Sequence, residues 1–289
     1  MRARRHGDRD WQVRAEIRAE TCFETRFEMR SEVRSEVRTE ALSIMKKARP
    51  HSPLLDERLV MAGLRLLDTY AGLAARGEHL FGRLLGGQSP RQWTHYPDGD
   101  AIDPVSGYQW FYHSHSPGDR PGAVEHGHLH LFARKPLWGR RLRSTSERAF
   151  AALCGDPSAQ PATRHLLAIG FDAKGLPISL MTLNSWVTGD LMLGADLSLA
   201  LLSSLTLHTG HDEVDAVIEC VARLCLAELA ELMRRRDDTL RSHPSPDKLH
   251  DDALELLSEI PIDLDARLAV LMPRLPPGRK APQRMGVPD

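Results

Sequence analysis

Five histidines fall within eighteen residues of this chain: His113 and His115 in one aromatic segment, then His126, His128 and His130 at alternate positions. Imidazole ligates transition metals, moves protons near neutral pH and can attack phosphorus. No other stretch of the sequence gathers so many groups of this kind. Further polar candidates flank it. Trp93, His95, Tyr96, Asp98, Asp100 and Asp103 come before it, Glu125 adjoins it, and Thr182, Asn184, Trp186, Thr188 and Asp190 follow.

Alternation along strands decides which of these rings can meet. In 108–115, Gln109, Phe111, His113 and His115 share one parity, while Tyr108, Trp110 and Tyr112 share the other. In 125–133, His126, His128 and His130 share one parity, and Leu129 and Leu131 the other. Strand residues two apart point to one face, so pairing odd with even sets Trp110 and Tyr112 beside Leu129 and Leu131. That register gathers all five histidines on the opposite face and turns Glu125 away from them. A one-residue slip would bring Glu125 in as a general base.

Same-face residues on a strand are about 7 Å apart, so two imidazoles at i and i+2 can share a metal at bonds of about 2.1 Å. His113, His115, His126, His128 and His130 are therefore the candidate ligands, with His126 and His130 too far apart to serve together. Zinc suits such a set, and iron is the other candidate. His128, His95, Glu125 and Asp100 are the candidate catalytic groups, with His95 or Asp100 as a ligand or as the partner that orients one. Tyr96, Asn184, Trp186 and Thr188 are placed on a substrate rim. His165 opens a strand and fits either core or site.

The elements that must carry these residues follow from periodicity. Apolar spacing predicts a helix over 54–75, continuing helically over 80–85, and then a loop over 93–100 in which Asp98-Gly99-Asp100 has turn chemistry. Strands are expected at 108–115 and 125–133, and a hairpin at 165–172 and 177–184 around Ala173-Lys174-Gly175. Helices are expected at 147–153, 191–205, 211–236 and 247–260, the third started by a capping box of Thr209 and Asp212. This is an α+β class with an antiparallel sheet flanked by N-terminal and C-terminal helices. The predicted domain spans 54–240. A charged arm precedes it (1–53), and a short helix with a Pro-rich, disordered tail follows (241–289).

In the arm, nearly every even position from 14 to 40 is charged, in a Glu-x-Arg-x repeat. It fits a solvated segment, a partner-binding helix, or a stretch preceding the true start at Met45 or Met61. A net charge of −1 removes the broad basic footprint of a general nucleic-acid binder. No apolar run reaches membrane-span length. The four cysteines show no disulfide-like spacing, which points to a reducing compartment, the cytoplasm. The expected partner is a small-molecule substrate or ligand.

Two resemblances bear on function. The segment His126-Gly127-His128-Leu129-His130-Leu131-Phe132 resembles the histidine-triad nucleotide hydrolases and transferases. That resemblance implies a metal-free site in which His128, the middle histidine, attacks a phosphate, with Arg134, Lys135, Arg140, Arg141 and Arg143 available to receive phosphates. More broadly, Trp-x-His-Tyr-Pro-x-Gly-Asp at 93–100, Phe-Tyr-His-x-His at 111–115, Glu-His-Gly-His-x-His-x-Phe at 125–132, His-Leu-x-x-Ile at 165–169 and Asn-x-Trp-Val-Thr-Gly at 184–189 are together similar to a bacterial family of unknown function. Ser185 and Asp190 depart from that family's usual Arg and Glu. The family implies a domain over about 54–236 and no activity. Three functions stay open: a hydrolase-like zinc or iron enzyme, a histidine-triad-like nucleotide enzyme, and a non-catalytic binding module.

Overall fold

The computed structural model describes residues 53–114, 125–154 and 162–271, with side chains from Glu57 onward. His115, the charged arm and the Pro-rich tail lie outside the described residues. The chain divides into the units Met1–Asp56 and Glu57–Asp289, and the sheet belongs to the second.

Alternating aromatic and aliphatic residues build the centre of that sheet. Strands β1 (Tyr96–Ile102), β2 (Tyr108–Ser114), β3 (Gly127–Arg134), β4 (Thr163–Phe171) and β5 (Pro177–Leu183) pair in sequence order, each antiparallel to the next. The two-residue β6 (Leu191–Met192) runs parallel to β4, and β7 (Leu256–Pro261) closes the far edge against β5. The β2–β3 register pairs Trp110 with Leu131 and Tyr112 with Leu129, the odd-with-even pairing expected from amphipathy.

Trp110, Tyr112, Leu129, Leu131, Leu167, Ile169, Phe171 and Leu180 line the main core with buried residues of four helices. These are α1 (Pro53–Arg76), α5 (Ala195–Ser203), α6 (Asp212–Leu224) and α7 (Leu226–Ser242). Two polar links fix the helices to the sheet: Tyr108 Oη donates to Leu201 O at 2.9 Å, and Trp110 Nε1 donates to Asp215 Oδ1 at 2.8 Å. Shorter helices α2 (Lys135–Trp138), α3 (Thr145–Cys154), α4 (Ser185–Thr188) and α8 (Leu264–Leu271) occupy the connections. Among the described residues, no helix is long and apolar enough to cross a membrane. The architecture is α+β.

Several expected elements take another form. The loop over 93–100 is partly β1, and its turn residues make a bulge. Between Tyr96 and Ala101 the register shifts, and Gly99 and Asp100 both have positive φ, 78° and 61°. The segment 80–85 forms turns rather than continuing as helix, and 191–205 begins as β6 before α5. The helix over 211–236 is two, broken at Cys225 (φ −109°, ψ 28°). One apolar stripe runs through both, so periodicity could not show the break. Thr209 does not cap through Asp212. Its N–H and Oγ1 both donate to Asp215, the acceptor of the Trp110 indole. The helix expected over 247–260 ends instead as strand β7, so chain beyond 240 supplies the last strand of the sheet.

Candidate functional site

The histidines occupy the face of β2 and β3 opposite that core. His113 pairs with His128, and Phe111 pairs with His130, so three rings from two strands crowd one patch. All three are buried, and their ligating nitrogens lie within 4.8 Å of one another. His113 Nε2 is 2.8 Å from His128 Nε2 and 3.0 Å from His130 Nε2.

These distances carry a chemical constraint. A neutral imidazole has one N–H, and a hydrogen bond between two Nε2 atoms needs a proton on one of them. His113 Nε2 can donate to only one of its two neighbours, so with three neutral rings lone pairs must face each other somewhere in the group. A cation between the nitrogens removes that repulsion. Tetrahedral coordination with bonds of about 2.05 Å puts ligand nitrogens about 3.3 Å apart. The observed separations are only a few tenths of an ångström shorter, so the residues fit a metal ion.

Protonation is opposed by burial. His130 is held well below the ordinary histidine range, first by desolvation and then by the neighbouring His128, His165 and His113. It is therefore neutral, the state a ligand requires. A fourth ring stands behind it. His165 Nε2 lies 3.2 Å from His130 Nδ1. Burial, reinforced by the charge of Arg236, pushes His165 down to about 3, so it too is neutral and can accept the His130 Nδ1 proton. That bond leaves the His130 Nε2 lone pair facing His113 and His128. A bulge in β4 brings His165 to this face: Leu131 pairs with Leu167, yet Phe132 pairs with His165. Simple alternation could not place His165, and the irregularity has no signature in the sequence.

His95 sits at the margin. Its ring stacks on Phe111 with centroids 3.6 Å apart and meets His113 edge-on at 6.2 Å. Asp100 Oδ1 lies 3.2 Å from His95 Nδ1, while Asp100 Oδ2 accepts from Gln109 Nε2 at 2.7 Å. The bulge in β1 thus aims Asp100 at His95, making it an orienting partner. His95 itself is half-exposed and reaches solvent.

Every described strand falls inside one sequence family. The chain belongs to the domain of unknown function family DUF6969, whose model matches residues 60–262. No curated protein and no solved structure matches the chain.

Within the DUF6969 domain the other predicted site residues divide. His126 is exposed, precedes β3, and lies with Nδ1 3.4 Å from Tyr112 Oη, apart from the three-ring group. Three in-line histidines of triad type are therefore not assembled. Glu125 does not turn away from the histidines. Its Cβ lies 3.5 Å from where a Cβ on Gly170 would stand, and Gly170 pairs with His128. Strand alternation fails there because β3 begins only at Gly127. Tyr96 pairs with Tyr112 and packs with the main core, away from the histidines.

Asn184 is fully buried; its amide donates to Lys248 O and Leu254 O at 2.8 Å each, and its oxygen caps α4. Trp186 Nε1 donates to Leu254 O, and Thr188 bonds Asp190. These contacts tie 184–190 to the segment before β7, a structural task that spacing alone does not separate from a substrate rim.

Proposed function

We propose that His113, His128 and His130 hold a zinc or iron ion and that the protein is a metal-dependent enzyme of hydrolytic type. One observation carries the reading: three buried Nε2 atoms converge from two strands, with His165 bonded behind the one most deeply enclosed. Zinc is the first choice, since three nitrogen ligands with an open fourth position are the pattern of a catalytic zinc, whereas mononuclear oxygenase iron usually takes a carboxylate among its three ligands. Such an ion supplies Lewis acidity, polarising a substrate oxygen and making bound water acidic.

The chain's own groups divide the remaining work. His165 fixes the His130 tautomer. His95, oriented by Asp100 and open to solvent, is placed to take up and release a proton at the margin of the site. Glu125, beside Gly170, is a second candidate base. Phe111 and Phe132 flank His130 and His165 at ring separations of 4.8 and 5.2 Å, keeping the imidazoles in apolar surroundings.

Elemental analysis of the purified protein tests this directly. Near-stoichiometric zinc or iron is expected, and His128→Ala should lose it. A folded, metal-free protein with no measurable zinc affinity would overturn the assignment.

A further inference from the structure

The histidine row continues across two more strands. His113 pairs with His128, His128 with Gly170, and Gly170 with Ser179, so these four residues cross β2 to β5 on one face. Gly170 contributes no side chain to that row. A Cβ there would lie 2.4 Å from Ser179 Oγ and 3.4 Å from Met181 Cε, so the Ser179 hydroxyl leans over the glycine. Since neighbouring strands are about 4.8 Å apart, the glycine opens a gap one residue wide between Ser179 and the strand of His128. Any larger residue at 170 would fill it.

The hydroxyl in that gap is anomalous. Ser179 is 5% exposed, and among the described residues its Oγ has no hydrogen-bond partner. A buried hydroxyl left unbonded costs free energy, so native proteins pair nearly all of them. Met181 and Ala168, next along the same face, are apolar and offer no substitute.

We propose that Ser179 Oγ–H donates a hydrogen bond to an oxygen of the ligand held at the three-histidine site, and that this ligand is a small molecule bearing a carboxylate or a reactive carbonyl. This rests on the metal reading above. The ion takes one oxygen, and Ser179, across Gly170, takes the other oxygen of a carboxylate or the oxygen on which charge develops at a carbonyl. The narrow gap admits a group of that size and excludes a bulky one.

Cobalt(II)-loaded protein tests the assignment by visible absorption, with acetate and imidazole as probes. Acetate can accept from Ser179 while on the metal; imidazole occupies the same open position and presents no oxygen. Ser179→Ala is expected to keep full cobalt content, to bind acetate about tenfold more weakly, and to bind imidazole as before. Ser179→Thr, which keeps the hydroxyl, should recover most of the acetate affinity. If Ser179→Ala does not fold, Ser179→Cys, similar in size with only a weak donor, carries the same comparison. Full metal uptake with unchanged acetate affinity, or an equal loss for both probes, overturns the role of Ser179 alone. A native protein that takes up no metal overturns the metal reading, and this assignment with it.

Discussion

At the residue scale, the second imidazole layer matters as much as the first. His130 can offer Nε2 inward only while its Nδ1 proton has an acceptor, and His165 Nε2 at 3.2 Å is that acceptor. Losing an outer partner of a metal-bound histidine typically weakens the metal tenfold to a hundredfold. His165→Ala is therefore expected to lower zinc affinity by that factor in a chelator competition, and His165→Gln, whose amide oxygen can accept the same proton, to recover part of it. Equal affinity in all three proteins would mean that His165 is only core packing. His113, His128 and His130 were legible in the sequence because amphipathy allows one register of the two strands. His126 was not, since it lies just before the strand whose alternation would have placed it. His165 was hidden by a bulge.

At the element scale, the turn between β1 and β2 is fixed by one carboxylate. Asp103 is fully buried, and it accepts from the N–H groups of Val105 at 2.9 Å, Ser106 at 3.0 Å and His208 at 2.8 Å. Burial acts to raise its pKa, but the hydrogen bonds from Ser106, Val105 and His208 outweigh that and hold it at about 2. A folded value below the unfolded one means that the unfolded chain binds the proton more readily. The resulting stability is complete above the unfolded pKa near 4 and is lost as pH falls through about 2. A depression of this size is worth about 2.5 kcal/mol. Urea midpoints should therefore fall between pH 4 and pH 2, and Asp103→Asn should be less stable at neutral pH while losing much of that slope. Parallel pH profiles for the two proteins would refute the account. The strand positions around this turn were only half legible. Asp98-Gly99-Asp100 has the chemistry of a turn, and the chain uses it as a bulge inside β1, which only pairing with β2 can decide.

At the scale of the whole molecule, the site depends on chain far from the histidines. The hairpin of β4 and β5 was legible from its alternation and its turn, and it carries His165, Gly170 and Ser179. The strand that protects its edge was not, because apolar residues at 254–260 satisfy a helical period as well as a strand. β7 covers β5, burying Leu257 and Ile260. Thr182 Oγ1 lies 2.6 Å from Ser258 Oγ, which in turn donates to Leu232 O at 2.9 Å, so one hydroxyl pair joins β5, β7 and α7. Both donor bonds of the buried Asn184 amide also end on this segment, at Lys248 and Leu254. A chain cut after residue 240 would expose the β5 edge and strand Thr182 and Asn184 without partners, each costing about 1–3 kcal/mol. Those losses together rival the total stability of an ordinary domain. The chain ending at 240 is thus expected to aggregate or to show no cooperative thermal transition, whereas one ending at 271 keeps every described strand and should melt cooperatively. Its metal content should match that of the full chain. Cooperative melting of the shorter chain would show that β7 is an accessory edge and that the histidine face is held by β2 to β5 alone.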